Sequence, residues 1–140
     1  MISFNYEVDF KLDNEAHYLT WLSEVISSEM KDEGEINYIF CDDTYLLDLN
    51  QQFLKHDTFT DIISFDNSIG NIVHGDIFIS VERVRENAFE FGVDFEEEIK
   101  RVMAHGILHY CGYKDKSQED VALMRQKEEE KMKMFHVKHN

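Results

Sequence analysis

His105–Lys116 reads HGILHYCGYKDK and holds a close set of metal-ligand residue types, His105, His109, Cys111 and Asp115. His105 and His109 are four residues apart, so on a helix both imidazoles share one face, one turn apart, within reach of a single ion. Gly112 stands where such a helix would end in a left-handed residue. Past that turn the chain can fold back and bring the carboxylate of Asp115 to the same ion. Two imidazoles and one carboxylate are a common ligand set for a catalytic transition metal with an open position. The competing reading of the pair is two half-buried core histidines, and that of Asp115 is a water-exposed loop residue. Gly106 follows His105 where a metalloprotease of the HExxH type needs a glutamate base, which disfavours that chemistry. Cys111 falls on a different helix face from the histidines.

Working outward, Asp94 with Glu97 resembles a capping box. Glu96, Glu97 and Glu98 suit the positive end of a helix running from there to about Cys111. Its buried contacts are expected from Ile99, Val102, Met103, Gly106, Ile107 and Tyr110, with Gly106 allowing another backbone close. Ahead of it, Asp61–Phe65 (DIISF) reads as a buried strand and Asp66–Asn71, with Gly70, as a hairpin connection. Ile72–Ser80 is the partner strand, where Gly75 marks a bulge or a close approach. Ser80 caps a helix of roughly Val81–Phe91, ended by Gly92. Near the start, residues 2–10 alternate as a strand, and Asp13 or Asn14 caps a helix to about Met30. Lys31–Glu35 is a turn and residues 35–41 a strand. Asp42 or Asp43 caps a helix from Thr44 to about Lys55, and His56–Thr60 is a polar break. Ser117 with Asp120 opens a last helix to about Phe135, apolar at Val121, Met124 and Met132. Within it, Lys127–Lys133 (KEEEKMK) reads as a solvated surface.

The resulting order, β-α-β-α-β-β-α-α-α, predicts a single α/β (α+β) domain. Its sheet is mixed, of about four strands with one antiparallel hairpin, packed with about five helices. The chain of 140 residues suits one core. There is no run of membrane-span length and no basic-then-apolar leader, and the two cysteines suggest no disulfide framework. A reduced, cytoplasmic setting is expected. The formal net charge of −15 disfavours nonspecific wrapping of nucleic acid. It leaves room for a local cationic lip drawn from Lys55, Arg83, Arg85, Lys100, Arg101, Lys114, Lys116 and Arg125. The same cations read equally well as solvated helix faces paired with Glu. His136 and His139 of the terminal HVKH read as a frayed end.

The signature HGILHYCGYKDK resembles that of the YbeY endoribonuclease family, usually written HGxLHLxGYDH. The resemblance covers nearly the whole chain. Leu49–Asn50, Phe53, Asp57 and Thr60–Asp61 through Phe65 match one family block, and Gly75–Asp76–Ile77 matches its GDI strand. It implies that residues 1–140 form one metal-dependent hydrolase domain with a zincin-like metal helix. It implies single-strand-specific endoribonuclease activity in small-subunit ribosomal RNA 3′ end maturation and ribosome quality control. The implied partners are ribosomal RNA, with ribosomal proteins or an assembly GTPase. Other readings are an assembly factor whose metal is structural, or a hydrolase of another phosphoester.

The family holds one zinc ion through three histidines. The first two fall on His105 and His109, the third on Asp115, with Lys114 where the family has Asp. The altered set suits zinc and leaves iron or manganese open. Leu54 stands where many members carry an arginine associated with phosphate, and Lys55 or His56 is the nearest substitute. The RNA-binding candidates are therefore Lys55, His56, Arg83, Lys100 and Lys114. Asp61, Ser64 and Asp76 are candidates for supporting the ligands from behind, against a capping or turn role for each.

Overall fold

A computed structural model of the chain describes residues 1–54 and 60–135, except for the side chain of Leu54. The elements are β1 (Ile2–Tyr6), α1 (Glu15–Ser28), β2 (Asp32–Cys41), α2 (Asp43–Leu49), β3 (Ile62–Asp66), β4 (Ile72–Ser80), α3 (Val81–Phe91), α4 (Phe95–Tyr110) and α5 (Gln118–Met134). A π-helical turn, Asn50–Leu54, extends α2. The sheet has the order β1-β2-β4-β3. β1 and β4 both pair parallel to β2, and β3 pairs antiparallel to β4. Among the described residues this is the mixed four-stranded α+β sheet with five α-helices that the hydrophobic periods predict.

The period of two in β2 and β4 sorts the two faces. Ile36, Tyr38 and Phe40 of β2, with Val73, Ile77 and Ile79 of β4, are buried in the main core beneath α1 and α4. Tyr38 donates from its hydroxyl to the Met103 carbonyl at 2.8 Å, fastening α4 to the sheet. Gly106 lets the Ile77 and Ile62 side chains, rather than a backbone, pack against α4. At Gly75 the close approach is the Tyr110 ring, whose hydroxyl donates to the carbonyls of Phe65 and Asp76 at 3.1 and 3.0 Å. On the other face a smaller cluster of Cys41, Leu46 and Ile63 lies under α2.

Several boundaries differ from expectation. β1 stops at Tyr6 because β2, its partner, ends one residue beyond Phe40; Phe10 instead turns back onto Phe40 and Phe95. β2 begins at Asp32, inside the expected turn, because Asp32 and Glu33 pair with Ile72 and Val73 before a register shift. Asn14 precedes α1 in a left-handed conformation and makes no side-chain cap, and Asp94 makes none at α4. Asp42, Ser80 and Ser117 do cap their helices, Ser117 in a capping box with Asp120. The expected helix to Lys55 is α-helical only to Leu49 before the π-turn.

Candidate metal centre

α4 carries a stripe of Glu98, Arg101, Val102, His105 and His109 at helical spacing along the floor of a cleft of about 460 Å³. Residues 60–64 and α3 form one wall; α5 and the loop before it form the other. α4 ends as its sequence foretold. Gly112 has φ 107, and the amide of Tyr113 donates back to the Leu108 carbonyl at 3.1 Å. That reversal points the Tyr113 carbonyl at His109 Nδ1, 2.9 Å away, and returns Asp115 over the helix end. The Asp115 Oδ2 lies 3.3 Å from both His105 Nε2 and His109 Nε2, which are 2.8 Å from each other.

The tautomers follow from these partners. A carbonyl only accepts, so His109 Nδ1 carries a hydrogen and leaves Nε2 a lone pair. His105 Nδ1 faces the Glu128 Oε2 at 2.7 Å, and an ionised carboxylate likewise only accepts. With neutral imidazoles, two lone pairs and a carboxylate oxygen therefore converge, an arrangement that a shared cation stabilises. Ligand atoms of a tetrahedral ion with bonds of roughly 2.0–2.1 Å stand roughly 3.3 Å apart. The observed separations fit once the two Nε2 atoms part by about half an ångström. Among the described residues these three form the one group of His, Cys, Asp or Glu able to share an ion. Cys111 is outside it, and burial pushes its thiol up to about 11.

Glu128 was not legible as a site residue. Lys127–Lys133 is not simply a solvated surface, because Glu128 is 5% and Lys131 3% exposed. The missed signal is spacing: Met124, Glu128, Lys131 and Phe135 form one buried stripe of α5 and the residue after it. Its polar members meet polar partners. Arg101 reaches Glu128 at 3.4 Å, Glu129 at 2.8 Å and Glu98 at 3.6 Å. Burial opposes charge on His105, but its bond to Glu128 and the nearby carboxylates of Asp115 and Asp61 outweigh it, and the imidazole is held above its ordinary value. Burial raises the carboxyls of Asp61 and Glu98.

The other expected residues are dispersed. Asp61 and Ser64 line the cleft, and Asp61 accepts from the Asn87 amide at 3.3 Å. Asp76 sits on the opposite face of the sheet, accepting from Asn37 at 3.0 Å, and does not line the cleft. Arg83 lies outside it too, paired with Asp43 and Glu86 at 2.8 Å each. Lys100 lies 4.0 Å over the Phe135 ring, and Arg85 is over Phe95. Lys114 is exposed beside Asp115 without lining the cleft. Lys55 and His56, like His136 and His139, lie outside the described residues. The expected cationic lip is thus mostly absent among the described residues: the arginines lining the cleft are Arg101, spent on three glutamates, and Arg125, which is 3.9 Å from Glu128.

A family model described as Endoribonuclease YbeY matches residues 3–136. The chain belongs to the YbeY family. It is 69% identical to the Endoribonuclease YbeY of Flavobacterium psychrophilum over the full length of both chains. It is 67% identical to that of Flavobacterium johnsoniae, across 98% of this chain and 99% of the relative. The solution structure of a Thermotoga maritima protein superposes with a TM-score of 0.69 at 29% identity, covering 96% of this chain and 89% of that one. Within the YbeY fold, α4 and the turn after it hold the signature, with Asp115 closing the donor triangle.

Proposed function

We propose that this YbeY chain is a metal-dependent endoribonuclease that hydrolyses phosphodiester bonds in single-stranded RNA, residues 1–140 acting as one hydrolase domain. The observation that carries the reading is the convergence of His105, His109 and Asp115 on one point of an open cleft. Three protein ligands leave a position free, the pattern of catalytic rather than structural zinc sites. Zinc is the ion we assign, with iron or manganese the alternatives for a set of two imidazoles and a carboxylate. Such an ion supplies Lewis acidity to the phosphodiester and to the attacking water.

The chain's own residues do the rest. Glu128 and the Tyr113 carbonyl fix the two imidazole tautomers, so both Nε2 atoms offer lone pairs. Arg101 holds Glu128 in place across α4 and α5. We assign Arg125, on the α5 wall, to a phosphate of the bound strand. Asp61, raised by burial and bonded at Oδ2 by Asn87, is assigned to carry a proton to the leaving oxygen. The substrate we assign is ribosomal RNA, cleaved in the cytoplasm during small-subunit 3′ end maturation and quality control. Ribosomal proteins or an assembly GTPase are the partners of that setting. Support comes from the family named above. Among the described residues, no helix is long and apolar enough to cross a membrane.

The test is His109→Ala. Loss of RNA cleavage with the fold and RNA binding intact is expected. Loss of the fold itself would instead make the metal structural and the protein an assembly factor. A substrate panel at fixed salt that favours another phosphoester over RNA would overturn the choice of substrate.

A further inference from the structure

We propose that Phe91 is a stacking platform for an unpaired nucleobase flanking the scissile phosphate, so that the cleft grips single-stranded RNA by a base as well as by its backbone. The inference rests on the ribonuclease reading above and adds a binding subsite to it. Phe91 is the last residue of α3, and the left-handed Gly92 ends the helix beside it. Phe91 is 59% exposed, yet it lines the same cleft as His105 and Asp115. Across the cleft stands Val121 of α5, 49% exposed. α3 buries Val81, Val84 and Ala88, so core packing does not account for an aromatic ring on the cleft rim. Asn87 is one turn earlier on the face of Phe91 and also lines the cleft, where its amide donates to Asp61.

Electrostatics favours such a platform. The net charge of −15 disfavours nonspecific attraction of phosphates, and among the described residues the cleft is lined by only two arginines. Stacking on an aromatic face needs no charge, and every base has such a face. A base already stacked within a duplex cannot use it without being pulled out, so the platform selects unpaired strands. Phe89 is a built-in control. It is the same residue type on the same helix, 88% exposed, and it does not line the cleft.

The experiment compares the metal-loaded wild type with Phe91→Ala, Phe91→Leu, Phe91→Trp and Phe89→Ala on a single-stranded oligoribonucleotide. Phe91→Ala and Phe91→Leu should raise KM about tenfold with a smaller change in kcat, because stacking supplies binding. Phe91→Trp should restore the wild-type KM, and Phe89→Ala should match wild type. An abasic nucleotide at one position of the substrate should weaken the wild type by a similar factor and Phe91→Ala no further. Binding of a labelled oligoribonucleotide is measured in parallel on the His109→Ala background. If the wild type cleaves no RNA, the ribonuclease reading falls, and the binding arm alone decides the platform. Equal affinity with and without the Phe91 ring, or equal loss from Phe89→Ala, overturns the proposal.

Discussion

His105 is held by two demands that oppose each other. Its Nδ1 hydrogen goes to Glu128, while its Nε2 points at His109 and Asp115. Without metal, the raised pKa means that a proton is held more tightly folded than unfolded. That contribution to stability is fully present below the ordinary imidazole value of about 6.5 and is lost as pH rises through the higher folded value. Metal needs the neutral ring, so its affinity runs the other way and falls as pH is lowered from about 8 to about 6. Competition titration with a chromophoric chelator at the two pH values checks the sign. Glu128→Ala removes the acceptor that fixes the tautomer, and metal affinity should drop by about 10–100-fold in the same assay. An unchanged affinity would reduce Glu128 to a packing role.

At the scale of elements, α5 is where sequence and structure part. The α4 end was readable because a glycine after the histidines has one strong use, a left-handed turn, and that turn fixes where Asp115 goes. The hairpin and three of the caps were readable for the same reason, local chemistry with one outcome. α5 was not, because charged residues at a buried stripe look like any solvated face until their partners are known. Lys131 meets Glu29 of the α1 end at 2.7 Å, and the Tyr113 hydroxyl donates to the same carboxylate at 2.7 Å. This clamp joins α1, α5 and the loop that carries Asp115. Burial pushes the Glu29 pKa up, but Lys131 and Tyr113 outweigh it and the net shift is downward. The clamp therefore stabilises above the unfolded carboxylate value and fades as pH falls through the lower folded one. Glu29→Gln should cost about 2 to 3 kcal/mol at neutral pH, shrinking in acid below about pH 4, as read by denaturant unfolding. A difference that persisted unchanged in acid would refute the ionic clamp.

For the whole molecule, the strong negative charge and the few cations lining the cleft among the described residues limit how many phosphates a bound strand could meet. The fold class followed from hydrophobic periods, since a strand and a helix each bury one face and the order of elements limits the topology. The distribution of charge did not follow, because pairing between distant segments, such as Arg83 with Asp43 and Arg101 with Glu128, decides which cations stay free. With only one or two phosphate contacts, the plot of log affinity against log salt for a single strand should have a slope of about −0.7 to −1.4. Fluorescence anisotropy over a salt series on the His109→Ala protein measures it. A much steeper slope would mean that a larger basic surface takes part.

Two rings and one carboxylate converge on a point that a single ion can occupy. Elemental analysis of untagged protein beside its Asp115→Ala variant decides whether one does. One bound transition-metal ion per chain is expected in the wild type, with a sharp loss in the variant. Equal metal content in the two proteins would contradict a shared ion.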